Sequence, residues 1–172
     1  SAVTLNFQND STSTGVGQSV TGSIGANGSN IAITNSSASG AAVSSVTLSG
    51  VLGTSVTTVT QNSSTSTLNL NGANTFAGGT VVNLGTLSVG AAGTLGATTG
   101  TLAVNNTNVG VGTNVVLNLS TGGDITTGTL SGTIATPASG ANTATINTRP
   151  GRIFTVNQTS AGTYQGAIGG TG

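Results

Sequence analysis

The sequence predicts an all-β fold, and within that class a parallel β-helix (β-solenoid), on three observations. Short runs that alternate apolar and polar residues recur from end to end, separated by Gly, Asn and Ser, as strands and turns are. The β-branched residues, which favour strands over helices, are abundant, and Thr alone supplies 34 of the 172 residues. Several runs also share one short motif, which indicates repeated structural units.

The alternating runs give the predicted strands in chain order. They cover residues 2–7, 30–34, 43–48, 55–60, 65–70, 80–84, 86–89, 101–104, 114–119, 125–130, 144–148, 153–157 and 164–168. The length is sufficient for one buried core. We therefore predict a single domain over residues 1–172, and its clearest repeat lies at 66–90.

A motif of the form Thr-Leu-x-Leu or Thr-Leu-x-Val, with Val in place of Thr in one copy, recurs through the middle of the chain. Its copies begin at Thr67, Thr86, Thr101 and Val116, and the intervals between them are unequal. Each copy is a half-buried strand that is too short to be stable alone, and stacking of such units in a solenoid would bury their apolar faces. Coils of roughly 20–25 residues would give about seven or eight turns. A β-sandwich is the alternative, although the scarcity of aromatic residues favours the solenoid.

Charged residues are nearly absent, which excludes several classes of function. The chain has two basic and two acidic residues, a net charge of zero, and no His or Cys. Nucleic-acid binding needs clustered Lys and Arg, and a nucleophilic Ser needs a His or Lys base. Disorder is disfavoured because 34% of the residues are hydrophobic and the net charge is zero. We predict a protein that is not an enzyme, with no cofactor, no metal, no nucleic-acid partner and no membrane-spanning segment.

The four charged residues are Asp10, Asp124, Arg149 and Arg152. A glycosidase would pair the two carboxylates as acid and base, but they lie far apart in the sequence. Both lie in turn-like contexts, where Asp commonly accepts hydrogen bonds from its own backbone, so we interpret them as structural. Pro150 and Gly151 predict an exposed turn between the two arginines. A contact between these arginines and a carboxylate or glycan of a partner is the alternative.

Residues 66–90 read STLNLNGANTFAGGTVVNLGTLSVG, and this segment resembles the autotransporter-associated β-strand repeat, also called the passenger-associated transport repeat. The matching positions are Gly72, Asn74, Thr75, Phe76, Gly78, Gly79, Thr80, Gly85, Thr86 and Leu87. The resemblance implies a right-handed β-helix that is secreted to a bacterial surface and is adhesive or structural in role.

Asn and Thr are so frequent that they need a structural explanation. Asn side chains at equivalent turn positions of a solenoid can form hydrogen-bonded ladders along its axis. Candidates for such ladders are Asn69, Asn71, Asn74, Asn83, Asn105, Asn106 and Asn118. Thr can line the outer faces and pair across neighbouring coils.

The ends of the chain suggest how it functions. A solenoid has unpaired backbone groups at both ends, and neither terminus here has a charged or Pro-rich cap. Tyr164, Ala167 and Ile168 lie in a C-terminal segment that a second copy could extend as a strand. We expect a secreted extracellular or cell-surface structural protein that polymerises through its terminal strands into a fibre, sheath or surface layer. The alternative is an adhesin passenger fragment that binds a host or matrix ligand, for example a glycan.

Overall fold

The structure, a computed structural model, describes residues 2–8, 17–25, 30–36 and 44–170. They form an all-β solenoid of about six turns in which the strands pair in parallel, as predicted. This pairing rules out the antiparallel β-sandwich. The strands are β1 (Ala2–Phe7), β2 (Gln18–Val20), β3 (Asn30–Asn35), β4 (Ser44–Leu48), β5 (Val56–Leu70), β6 (Gly79–Val89), β7 (Leu102–Val104), β8 (Asn114–Asn118), β9 (Ile125–Thr127), β10 (Leu130–Ser131), β11 (Thr143–Asn147), β12 (Phe154–Val156) and β13 (Ala167–Gly169).

Each coil has three sides, which we name A, B and C. Side A stacks β1, β3, the first half of β5, the first half of β6, β7 and β10. Side B stacks β2, β4, the second halves of β5 and β6, β8, β11 and β13. Side C includes the β9–β12 pair and a bridge between Ile24 and Leu52. Sides A and B belong to one 11-stranded sheet, because β5 and β6 each continue round the A–B corner.

The coils differ in length, and this sets their number. Val59 pairs with Thr80 and Thr80 with Leu102, so the two central coils are of nearly equal length. The next coil, from Leu102 to its partner Leu130, is longer because it carries a loop at its A–B corner. The prediction of seven or eight coils is therefore wrong, since the longer coils use more of the chain per turn.

The core is a column of aliphatic side chains that runs along the inside of the solenoid. On side B, Leu68 pairs with Leu87 and Leu87 with Leu117, and all three are fully buried. Val46 precedes them in this column and Ile146 follows. Burial of one such side chain stabilises the fold by about 1.5–3 kcal/mol. The alternating runs of the sequence thus correspond to strands with one face in this column.

Three of the four motif copies stack on side B, and the fourth does not. Thr67, Thr86 and Val116 are in register with one another. The copy that begins at Thr101 lies on side A, where Leu102 pairs with Thr80. The segment between the copies at Thr86 and Thr101 therefore passes from side B to side A, and it is shorter than one complete coil.

Among the described residues, the structure contains no helix with the length and apolar character that crossing a membrane would require.

Candidate functional sites: the repeat motif, the charged corner and the end coils

Asn74 of the repeat motif joins three successive coils. Its side-chain Oδ1 accepts a hydrogen bond from the Leu52 backbone N–H (3.0 Å) in the preceding coil. Its Nδ2 donates to the Thr94 carbonyl (3.0 Å) in the following coil, and the Thr94 hydroxyl donates back to the Asn74 carbonyl (2.7 Å). The Asn74 side chain is buried, so its two bonds satisfy amide atoms that are shielded from water. The amide of Asn74 therefore acts as a structural link between coils.

Phe76, Thr80 and Thr75 of the motif occupy the core and the turn beside Asn74. The Phe76 ring is fully buried, and Gly96 lies so close to it that a Cβ there would be 2.7 Å from two ring carbons. The Thr80 hydroxyl, also buried, donates to the Leu95 carbonyl (3.3 Å). Thr75 is exposed, and its backbone N–H donates to the Leu52 carbonyl (2.9 Å). This part of the motif fills the core and closes a turn.

The motif glycines stand where coils approach one another closely. A Cβ at Gly78 would overlap the Thr57 carbonyl oxygen, and a Cβ at Gly72 or Gly79 would also meet the neighbouring coil. Gly85 has φ 64°, the left-handed region that favours glycine, at the A–B corner. Thr86 points outward from side B and Leu87 points into the core. The structure thus gives every residue of the matched set a place in a turn, in the core or on the outer face of side B.

Buried amides and hydroxyls at the A–B corner were not predicted from sequence. Asn35 Nδ2 donates to Gln61 Oε1 (2.8 Å) and to the Ser66 hydroxyl (3.1 Å). Gln61 Nε2 in turn donates to the Ser66 carbonyl (2.6 Å) and the Ser63 carbonyl (3.0 Å). This network fills the corner with polar atoms that satisfy one another. The one sequence signal for this network is the presence of polar residues at inward positions of alternating strands.

The predicted Asn ladders are present in part. Asn105 Nδ2 donates to Asn83 Oδ1 (3.0 Å) across neighbouring coils, which is a ladder contact. Asn69 donates instead to the Thr47 hydroxyl (3.3 Å), and Asn118 accepts a bond from the Ser120 N–H (3.1 Å) within its own turn. Most of the candidate residues therefore bond to other partners, because the coil lengths vary and equivalent turn positions hold different residues.

The loops 105–113 and 132–142 lie side by side at the A–B corner, and we name them the side loop pair. Val111 forms a bridge with Ser139, and Asn142 Nδ2 donates to the carbonyls of Asn108 (2.6 Å) and Ala135 (2.9 Å). Val109 is 70% exposed and Val111 68% exposed. Backbone and amide bonds thus hold two apolar side chains out in solvent.

The charged residues within the described ranges meet at the B–C corner. The Asp124 carboxylate accepts a bond from the Ile153 N–H (3.0 Å) and lies 4.0 Å from Arg152. The predicted turn is present, because the Arg152 N–H donates to the Arg149 carbonyl (3.2 Å) and Gly151 has φ 68°. Both partners of the ion pair are about half exposed, so it contributes little stability.

Within the described residues, the structure forms neither a pair of carboxylates nor a metal cluster. Asp10, the other carboxylate, lies outside the described residues. Within them, no three His, Cys, Asp or Glu side chains come together as metal ligands would. Beside the charged corner is an open groove of about 480 Å³, lined by Asn118, Ser120, Asn147, Thr148 and Gly170.

Apolar side chains that point inward are exposed at both ends of the described stack. Val3 and Leu5 of β1 are 50% and 37% exposed, although Ile33, which pairs with Leu5, is fully buried. Ile168 of β13 is 52% exposed, although its partner Ile146 is fully buried. The difference arises because β1 and β13 each have a neighbouring strand on one edge only among the described residues.

Tyr164, the first residue of the predicted assembly strand, anchors the last coil. It forms a bridge with Gly132, and its hydroxyl lies 3.0 Å from the Ala144 carbonyl and 3.3 Å from the Ala167 carbonyl. Burial raises the pKa of Tyr164 to about 12. Ala167 and Ile168 follow in β13, so the three residues do lie together at the C-terminal end of the stack.

Comparisons with protein-family models, with curated proteins and with solved structures give no match. The resemblance of residues 66–90 to the autotransporter-associated repeat therefore stays a prediction.

Proposed function

We propose that the chain is a secreted, non-enzymatic structural module, a β-solenoid that assembles through its end coils into a bacterial fibre, sheath or surface layer. The observation that carries the proposal is the exposure of inward-facing Val3, Leu5 and Ile168 at the two ends of the stack. A second copy that stacked on either end would bury these side chains, at about 25 cal/mol per Å² of apolar surface removed from water.

The two ends are complementary in their strand order. At the C-terminal end, Tyr164 lies on side A and β13 lies on side B. At the N-terminal end, β1 lies on side A and β2 lies on side B. In head-to-tail contact, β1 of one copy would follow Tyr164 of the next, and β2 would follow β13. The unpaired N–H and C=O groups of both edges would then be satisfied. Such a contact does not close on itself, so it would produce a filament.

The lack of charge favours self-association. With a net charge of zero, copies of the chain do not repel one another. The placement outside the cell, on bacteria, comes from the resemblance of residues 66–90 to passenger repeats. The buried, hydrogen-bonded amide of Asn74 and the buried ring of Phe76 support a structural role for that repeat.

An adhesin is the second candidate, and the side loop pair favours it. Val109 and Val111 stand exposed on a hydrogen-bonded projection of the kind that contacts a partner. An adhesin would bind its ligand saturably as a monomer, whereas a structural subunit would polymerise without a ligand.

Light scattering and electron microscopy on the purified chain test the assembly. We expect filaments for the unchanged chain and loss of filaments for Ile168→Lys, which places a charge on the proposed contact. Val111→Lys is the matched control, because it adds the same charge at an exposed valine away from the ends, and it should leave the filaments intact. Circular dichroism should show that both variants fold.

Deletion of residues 163–172 provides a second variant, which should also abolish assembly. Monodisperse monomers of the unchanged chain would overturn the proposal. Filaments that persist unchanged in both Ile168→Lys and the deletion would overturn the terminal contact.

A further inference from the structure

The outer surface of side B carries a regular array of uncharged polar side chains, which we name the polar face. Two residues of each side-B strand from β4 to β11 point outward, and the register places them in two straight rows. The first row is Ser45, Thr67, Thr86, Val116 and Thr145, and the second is Thr47, Asn69, Ser88, Asn118 and Asn147. Each of these side chains is half-buried by its neighbours. Nine of the ten end in a hydroxyl or an amide.

The array is periodic in two directions and is rigidly held. Successive coils repeat about every 4.8 Å along a row, and the two outward residues of one strand are about 6.6 Å apart. The opposite face of the same strands is the fully buried core column, for example Leu68, Leu87 and Leu117. Thr side chains add stiffness because their β-branching restricts χ1.

Most of these groups are available to an external ligand. Within the described residues, the hydroxyls of Thr67, Thr86 and Ser88 make no hydrogen bond to the protein; the Thr47 hydroxyl accepts one from Asn69 (3.3 Å). Each hydroxyl can donate one bond and accept two. The face therefore presents a net of donors and acceptors at fixed intervals.

The chemistry of the face excludes several kinds of ligand. No charged residue lies in either row, so an anionic polymer would find no counter-charge. No aromatic side chain lies there to stack on a sugar ring. A patch about 20 Å long and about 10 Å wide covers a few hundred Å², well below the ~800 Å² per partner of a standard protein interface.

We propose that the polar face binds ice. A two-dimensional net of hydroxyls and amides gains most from a ligand that repeats in the same two directions, and a crystal does so where a dissolved molecule cannot. Each face of an ice crystal also repeats in two directions, at intervals of the same order as the about 4.8 Å and about 6.6 Å of the polar face. Water molecules that hydrogen-bond to the rows would thus occupy positions that continue into the crystal. Val116 has the shape of Thr without its hydroxyl, so it keeps the outline of the first row and lacks only the polar group.

Side A supplies an internal contrast, because its outer surface lacks such an array. There, Thr60 pairs with Val81 and Val81 with Ala103, so the row loses its polar groups. A register shift between Ile31 and Ala32 also breaks the alignment. A substitution on side A should therefore leave ice binding unchanged.

Thermal hysteresis and ice-crystal shape, observed in a nanolitre osmometer, test the proposal. We expect the unchanged chain to shape ice crystals and to depress their growth temperature below their melting temperature. Thr67→Tyr, in the middle of the polar face, should lose most of this hysteresis because the ring raises the surface above the net. Thr60→Tyr is the matched control on side A and should retain it.

Melting curves followed by circular dichroism establish that both variants fold as the unchanged chain does. If Thr67→Tyr fails to fold, Ser88→Tyr replaces it on the same face. Unshaped crystals and no hysteresis at the highest soluble concentration would overturn the proposal. Equal hysteresis in the polar-face and side-A variants would overturn it too, and so would loss of hysteresis in both. The outcome does not depend on end-to-end assembly.

Discussion

The chain turns the A–B corner in different ways in the central coils and in the later coils. In β5 and β6 the chain passes from side A to side B as one continuous strand, and the coils are short. In the next coils the same corner expands into the side loop pair, held by Asn106 and Asn142. The buried columns on sides A and B continue through both regions. A solenoid thus fixes its core positions and varies its coil length at the corners, where exposed groups can be added.

The largest difference between the regions is expected in the core. Phe76→Ala should lower the free energy of unfolding by about 3–5 kcal/mol, because the ring is fully buried and its removal leaves a cavity. Phe154→Ala, in the C-terminal coils, should cost about 1–2 kcal/mol, since Phe154 is only partly buried against the core. Urea denaturation of the two variants measures both values. Equal costs would contradict the view that the central coils are the better-packed region.

Asn74 and Asn142 allow a second comparison, because both link neighbouring coils through their side-chain amides. Asn74 serves a central coil, and Asn142 accepts a bond from the Thr113 N–H (3.0 Å) and donates to two carbonyls of the side loop pair. Replacement of either by Ala leaves buried or part-buried backbone groups unsatisfied, at about 1–3 kcal/mol. We expect similar losses of unfolding free energy by urea denaturation. A negligible loss for Asn142→Ala would show that the side loop pair is not held rigidly.

The sequence predicts the strands of both regions well, and for a physical reason. Alternation of apolar and polar residues is local, so the limits of β1 are predicted to the residue, and those of β3, β4, β8 and β11 to within one. β2 was missed because it has only three residues and no alternation to detect. The predicted strand 125–130 is two strands, β9 on side C and β10 on side A, separated at Gly128. Here a run rich in β-branched residues continues through a corner, and the local pattern alone does not reveal the break.

The assignment of strands to sides and the inner polar contacts could not be predicted in the same way. The copy of the Leu motif at Thr101 has the same pattern as that at Thr86, yet it lies on side A because coil lengths are unequal. The buried bond between Asn35 and Gln61 joins residues 26 positions apart. Such contacts depend on which coils become neighbours, and hence on the total length of every loop between them.

The smallest effect concerns pH and the last coil. Tyr164 is the single Tyr of the chain, and its pKa is raised from about 10 to about 12 by burial. Tyr164 ionises near pH 10 in the unfolded chain and not in the folded one, so its contribution to stability is constant below pH 10 and is lost between pH 10 and 12. An absorbance titration should give a midpoint near 12 in buffer and near 10 in denaturant. A midpoint near 10 in buffer would contradict the anchoring of the last coil, and Tyr164→Phe supplies the baseline without an ionisation.

X-ray diffraction from oriented filaments is the most direct test of the proposed end-to-end stacking, in which the strands stay in continuous register from one copy to the next. Strands that cross the filament axis repeat about every 4.8 Å along it, so end-to-end stacking predicts a strong meridional reflection at that spacing. It also predicts that Ile168→Lys yields no filaments to orient. Filaments whose reflection at this spacing lies on the equator, or a chain that stays monomeric at high concentration, would contradict end-to-end stacking.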